Sequence, residues 1–268
     1  VTWSHTNVNT LFVQDSGGGV AVILNEEQML HPPEVSREVV IAGVTTTGFA
    51  PKVRCTSLET LGYMALPQPS LITLEHALTG VEDSQWVELQ GYLREVQSEE
   101  PNLLRLNFTT MDGEFTALAP TNTPWKEFAG SILRVRGVCG SVTRGGELAG
   151  IELWIPAAAI PEVEEPAAAD PFSAPERSIG SLLKFSTIST LNRRVSVSGV
   201  VTAHVPRRFL VLQDGTDGLM VLSREAKQFQ PGESVQAVGF VGREGSRVVL
   251  REAMVRVVDS GIVPAAKR

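Results

Sequence analysis

The chain repeats itself, and the repeated unit is too short to be anything but a small barrel. Residues 73–93 lie over residues 181–201 without a gap, so that Val87 falls on Val195, Leu89 on Val197 and Gly91 on Gly199. Residues 11–24 lie over 210–223 in the same way, pairing Gln14-Asp15 with Gln213-Asp214 and Gly19 with Gly218. Self-similarity of this kind sets the architecture, because each copy is one packing unit. The 268 residues accommodate three such units, each near the lower end of the usual domain size.

The third unit is the clearest. Val195, Val197 and Val200-Val201 alternate into a strand interrupted at Gly199, and Phe209-Leu210-Val211-Leu212 makes a second strand after Pro206-Arg207-Arg208. A turn at Gln213–Gly218 leads to a third strand, Leu219–Leu222. Residues 224–230 read as a short helix stopped by Pro231-Gly232, followed by a fourth strand at 235–240 and a fifth strand pair at 247–250 and 254–258. Five short strands with a glycine breaking the first predict an OB-type barrel, because a strand that bends to reach both barrel edges needs a residue without Cβ. The fold expected is therefore all-β: tandem small OB-like five-stranded barrels with short connecting helices at 71–78 and 179–184.

The units are placed at 1–68, 69–160 and 176–268, with the Pro/Ala/Glu-rich stretch 161–175 as an extended, solvated linker. Unit one lacks the first half of its first strand, so the sequence is read as a fragment that starts inside a repeat. Unit two carries Thr109-Thr110 where the other two have Gln-Asp.

Charge divides along the chain. Residues 1–175 hold 9 Lys/Arg against 22 Asp/Glu, whereas residues 176–268 hold 14 against 8. A net basic last unit points to an anionic surface such as lipid headgroups, or to attraction by the acidic units. Single-strand binding by the third unit is the alternative, through Arg193, Arg194, Arg207, Arg208, Arg243, Arg247 and Arg251. It is disfavoured because only Phe185, Phe209, Phe229 and Phe240 supply aromatic rings there, and because the chain as a whole is acidic. Nucleic acid is accordingly set aside as a partner at this stage.

No enzyme motif is present: no glycine-rich phosphate loop, nucleophile elbow or HExxH. Cys55 and Cys139 are too few for a zinc site, and no cofactor or metal is implied. Candidate ligand-binding residues are those that recur in loops: His5 and His204 after the first strand, Asp15 and Asp214 before the hairpin glycines, and Arg207 and Arg208. The competing reading of the aspartates is an Asx-turn, in which the carboxylate accepts backbone N–H groups.

With the units aligned, the segments Leu11-Phe12-Val13-Gln14-Asp15 followed by Gly17-Gly18-Gly19, Gly48-Phe49-Ala50-Pro51, Leu66-Pro67-Gln68-Pro69, Asp83–Gly91 and Gly199-Val200-Val201-Thr202 resemble the extracytoplasmic sensory regions of bacterial transmembrane sensor histidine kinases. In that family tandem OB-like units precede a membrane helix and cytoplasmic signalling domains. The resemblance implies a non-catalytic sensory ectodomain, periplasmic, in a dimeric inner-membrane parent. Such a region binds a small molecule or protein and signals by rearrangement between barrels. Its basic third unit would lie near anionic headgroups. A structural or protein-interaction module is the remaining alternative.

Overall fold

The computed structural model describes residues 1–268 apart from Asn7, Pro101, Met111, 185–193, Thr216, Glu225, Ala226 and 261–268. The chain forms two compact units, Val1–Ala167 and Ala168–Arg268. Repeats one and two share the first; repeat three is the second.

Repeat one comprises β1 (Thr10–Asp15), β2 (Gly18–Ile23), α1 (Glu26–Leu30), β3 (Arg37–Thr46) and β4 (Lys52–Tyr63), in the sheet order β1-β2-β4-β3. Repeat two begins with β5 (Ser70–Ile72) and α2 (Leu74–Ala77), then β6 (Trp86–Glu100), β7 (Leu103–Thr110), β8 (Gly113–Pro120), β9 (Ile132–Arg144), β10 (Glu147–Trp154) and β11 (Glu162–Glu165). Here β6 pairs with both β7 and β9, and β10 with both β8 and β9, which closes a ring of five strands. Repeat three follows α3 (Ile179–Lys184) with β12 (Arg194–Val205), β13 (Phe209–Asp214), β14 (Asp217–Leu222), β15 (Glu233–Glu244) and β16 (Arg247–Ser260), a closed barrel in the order β12-β13-β14-β16-β15. The fold is all-β with OB-type topology, each repeat joining its third and fifth strands in parallel: Ala21↔Lys52, Thr116↔Glu152 and Met220↔Val249.

The hairpins of repeats one and three share one register, Asp15↔Gly18 and Asp214↔Asp217 closing equivalent two-residue turns. A glycine recurs on the fourth strand for a steric reason. A Cβ at Gly43 would lie 2.2 Å from the Arg54 carbonyl oxygen, one at Gly137 2.8 Å from that of Trp154, and one at Gly239 2.6 Å from that of Arg251. The bent fourth strand crosses the fifth too closely for any side chain.

Two closed barrels have full apolar cores, around Leu89, Leu106, Phe108, Phe115 and Leu133 in repeat two and Val197, Leu210, Leu212, Val221 and Ala237 in repeat three. A third cluster joins repeats one and two: Trp3, Phe12 and Ala21 from the first pack on Trp86, Val138 and Trp154 of the second. Its rings are edge-on, with Trp3 and Trp154 centroids 4.7 Å apart and 75° between planes.

Three local expectations change. The helix predicted at 224–230 is not found over 227–230, while Glu225 and Ala226 lie outside the described residues. Phe229 is buried there, and its N–H donates to His204 Nδ1 (3.1 Å) instead of a helical carbonyl. The fifth strand pair of repeat three is one strand, β16, with a register shift opposite Val238–Phe240. Part of the 161–175 linker is β11, exposed but paired with β9, where Arg134 binds Glu162 and Glu164.

Candidate functional site

Most of the recurring loop residues have structural work. Asp15 Oδ1 accepts the Gly17 N–H at 2.7 Å, an Asx-turn. Asp214 Oδ2 accepts the N–H of Ile179 at 2.7 Å, satisfying the first orphan donor of α3. His5 Nδ1 donates to the Thr6 carbonyl (2.7 Å), and the ring lies nearly parallel to Trp3. His204 Nδ1 is an acceptor, as above, with its ring edge-on to Phe229 at 5.3 Å. His5 and Asp15 belong to the first unit and His204 and Asp214 to the second, and each is engaged locally within its own unit. Among the described residues no group of three or more His, Cys, Asp and Glu side chains gathers as a metal site would require.

Cys139 is no better placed as a nucleophile. Burial, reinforced by the charges of Asp83 and Glu82, pushes its thiol up to about 12. At pH 8 its thiolate fraction is then about 10⁻⁴. Iodoacetamide at pH 8 is expected to leave Cys139 unmodified in the folded chain and to alkylate it on unfolding, read by peptide mass mapping. Because folding raises this pKa, the contribution to stability is complete below the ordinary thiol range and is lost as pH climbs toward 12.

Arg207 and Arg208 differ from the other candidates, for they are exposed in the β12–β13 loop. The turn is closed by Arg208 N–H donating to Val205 O at 3.1 Å, and Arg207 adopts φ +61°, a left-handed position where glycine would be relaxed. The β15–β16 loop carries a matching pair, Arg243 and Arg247, also exposed. Among the described residues none of these four guanidinium groups has a carboxylate partner.

Between the two loops lies the outer face of β13 and β14. Leu210, Leu212, Leu219 and Val221 point into the core, so Phe209, Val211, Met220 and Leu222 point out and are only half-buried. Register sets Phe209 opposite Leu222 and Val211 opposite Met220. Arg207-Arg208 lead directly into Phe209, and the parallel pairing of Met220 with Val249 draws Arg247 alongside the other end of β14. An apolar strip whose outward residues span about 7 Å along the strands thus has arginines at both ends.

The equivalent faces of the sister repeats are spoken for. In repeat one Phe12 and Ala21, the counterparts of Val211 and Met220, are buried against Trp86 and Trp154. In repeat two the face carries Arg105, which Glu99 (2.8 Å) and Glu152 (2.8 Å) grip from both sides. The hydrogen bond to Glu99 and both carboxylate charges raise its pKa. The loop that is arginine-rich in repeat three is acidic here, bordered by Glu99.

Sequence reasoning listed the arginines but missed the strip. Its signal was the unbroken apolar run Phe209–Leu212, which exceeds the alternation a one-sided strand requires. Of the four phenylalanines weighed as stacking rings, Phe229 and Phe240 are core, Phe185 lies outside the described residues, and Phe209 faces outward. Arg193 also lies outside the described residues.

No family model and no curated protein matches the chain. Among solved structures it is similar to the Ifi202 HINa domain in complex with 20bp dsDNA, at 9% identity over 63% of this chain and 95% of that one, TM-score 0.27. It is also similar to a murine DNA binding protein bound with ds DNA (12%, 64% and 98%, TM-score 0.30). A third is Entamoeba histolytica asparaginyl-tRNA synthetase in complex with asparaginyl-adenylate (9%, 67% and 54%, TM-score 0.32). The first two were solved on DNA. The setting aside of nucleic acid as a partner is corrected on the charge ground: the acidity of the chain as a whole does not extend to the third repeat, where exposed arginines of the β12–β13 and β15–β16 loops flank the half-buried apolar face on which Phe209 lies.

Proposed function

We propose that this is a non-catalytic OB-fold binding protein whose third barrel takes a single nucleic-acid strand across β13 and β14. One observation carries the reading: four exposed arginines in the β12–β13 and β15–β16 loops, with no carboxylate partner among the described residues, bracket a half-buried apolar strip. OB barrels use this face and these two loops for oligonucleotides. The arginines neutralise phosphates, and Phe209 with its apolar neighbours offers a surface on which bases stack. Among the described residues Phe209 is the one ring on this face, so recognition is mainly electrostatic and tolerant of sequence.

The test is fluorescence anisotropy of a labelled single strand of about 12 nucleotides, titrated with the full chain between about 0.05 and 0.2 M salt. Four phosphate contacts give a log–log slope near −3. A flat salt dependence, or no binding at the lowest salt, overturns the reading.

The left-handed arginine adds a sharper expectation. Arg207→Gly relieves the backbone and is expected to stabilise the third barrel by up to about 1 kcal/mol while weakening strand binding. Calorimetry and anisotropy on one sample check both signs; a variant that is neither more stable nor weaker in binding counts against a functional arginine at this turn.

A second reading keeps the same surface and places the chain in the sensory region of a membrane-bound histidine kinase. It is supported by the segments that resemble that family, Leu11–Gly19 and Asp83–Gly91 among them. The four arginines would then face anionic headgroups, each worth about 1 kcal/mol. Vesicles with phosphatidylserine, run beside the oligonucleotide, separate the two: tighter binding to vesicles favours the sensor reading.

A further inference from the structure

Repeat one packs on the outer face of repeat two through the Trp3–Trp154 cluster, but the two do not meet along the whole of that face. Beside Trp154 a cleft of about 810 Å³ opens, a volume typical of small-molecule sites. One wall comes from repeat one: Val8 before β1, Leu24 after β2 and Met29 of α1. The other is the outer face of repeat two, where pairing sets Leu118 of β8 between Arg105 of β7 and Trp154 of β10. Leu103 lies two residues before Arg105 and therefore on the same side of β7. This is not the slot of a lead-in helix. In repeats two and three that helix sits at the turn end of the hairpin, Leu74 against Gly113 and Ile179 on Asp214, whereas Val8 and Leu24 flank the open end of β1 and β2.

The walls are apolar and firmly set, and the charge around them is negative. A capping box fixes α1, with Gln28 N–H donating to Asn25 Oδ1 (2.9 Å) and Asn25 N–H to Gln28 Oε1 (3.0 Å). Leu24, Leu103 and Leu118 are buried, while Val8, Met29 and Trp154 are half-buried. Met29 is unbranched and adapts its shape to what it touches. Three carboxylates stand against one guanidinium. Arg105 is engaged by Glu99 and Glu152, so its charge is already balanced within the chain. Glu26, also in the cleft wall, is exposed and has no ion-pair partner among the described residues.

We propose that this cleft binds a small organic ammonium, its positive nitrogen on the Glu26 carboxylate and its apolar body between Met29 on one wall and Leu103 and Trp154 on the other. The excess of negative charge turns away an anion of the same shape. A half-buried indole in the wall adds a surface to which cations are drawn. The inference concerns repeats one and two and is independent of the nucleic-acid reading, which concerns repeat three.

The probe is octyltrimethylammonium chloride, titrated calorimetrically into the full chain up to about 5 mM. Octanoate, which has an apolar tail of similar length and the opposite charge, is the comparison. Saturable one-to-one binding on the order of 1 mM is expected, and at least about tenfold weaker binding of octanoate. Glu26→Gln is expected to weaken the ammonium about three- to fivefold, as an exposed ion pair is worth no more. Met29→Arg fills the cleft and sets a cation one helical turn from Glu26, so it is expected to abolish binding while the melting midpoint shows the unit folded. Absence of saturable binding overturns the proposal, as does octanoate binding as tightly as the ammonium. Wild-type affinity in the Glu26→Gln chain also overturns it, by placing the ammonium elsewhere.

Discussion

Replacing Trp3 by alanine is expected to cost the Val1–Ala167 unit about 3–5 kcal/mol, the range for truncating a buried aromatic. Trp3 is 1% exposed, and its indole is the centre of the cluster that fuses repeats one and two. The loss cannot be absorbed by collapse, because the flanking backbone is pinned. Thr2 N–H donates to Phe12 O (2.9 Å), Phe12 N–H donates to Trp3 O (2.9 Å), and Gln14 Oε1 accepts from Trp86 N–H (2.7 Å). Gly19 meets the second repeat so closely that a Cβ would lie 1.9 Å from Ser84 O. All four tryptophans, Trp3, Trp86, Trp125 and Trp154, fall in this unit, so intrinsic tryptophan fluorescence reports its unfolding alone. Urea melts of the wild type and W3A followed at the three remaining indoles measure the effect. A change below about 1 kcal/mol would show that the cluster is not what holds repeat one in place.

The second large effect is on binding. The combined substitution of Arg207, Arg208, Arg243 and Arg247 by alanine removes four phosphate contacts, which flattens the log–log salt slope by about 3. At 0.1 M salt this amounts to a loss of several hundred-fold in affinity, on the order of 10²–10³, fading as salt approaches 1 M. The barrel itself should be indifferent, since the four side chains are exposed and without carboxylate partners among the described residues, and such surface changes stay within about ±0.5 kcal/mol. The far-UV spectrum and melting midpoint verify that. If the quadruple variant binds the strand as the wild type does, the β13–β14 face is not the site.

What was legible in the sequence was local. Hairpin turns, the alternation of the barrel strands and the glycine that breaks the first strand each depend on residues a few positions apart, or on a contact that one missing Cβ makes possible. Gln14 and Asp214 show where that legibility ends. Their Gln-Asp pairs align perfectly, yet Gln14 reaches across to Trp86 and Asp214 to Ile179. Which partner such a side chain finds is decided by packing between elements far apart in sequence. The Trp3–Trp154 contact was hidden for the same reason. The outer strip of repeat three was concealed because an all-apolar strand does not announce which of its two faces is the core.

The shared register of the hairpins in repeats one and three has a kinetic side. Hairpins joined by two-residue turns form early, whereas the parallel pairing of third and fifth strands waits on distant segments. During that interval a chain holding two interchangeable hairpins is open to exchange between copies, the characteristic misassembly of repeat proteins. Here the interchangeable pair is kept apart. Repeat two stands between them with Thr109-Thr110 in place of Gln-Asp, so the two like hairpins are not neighbours along the chain.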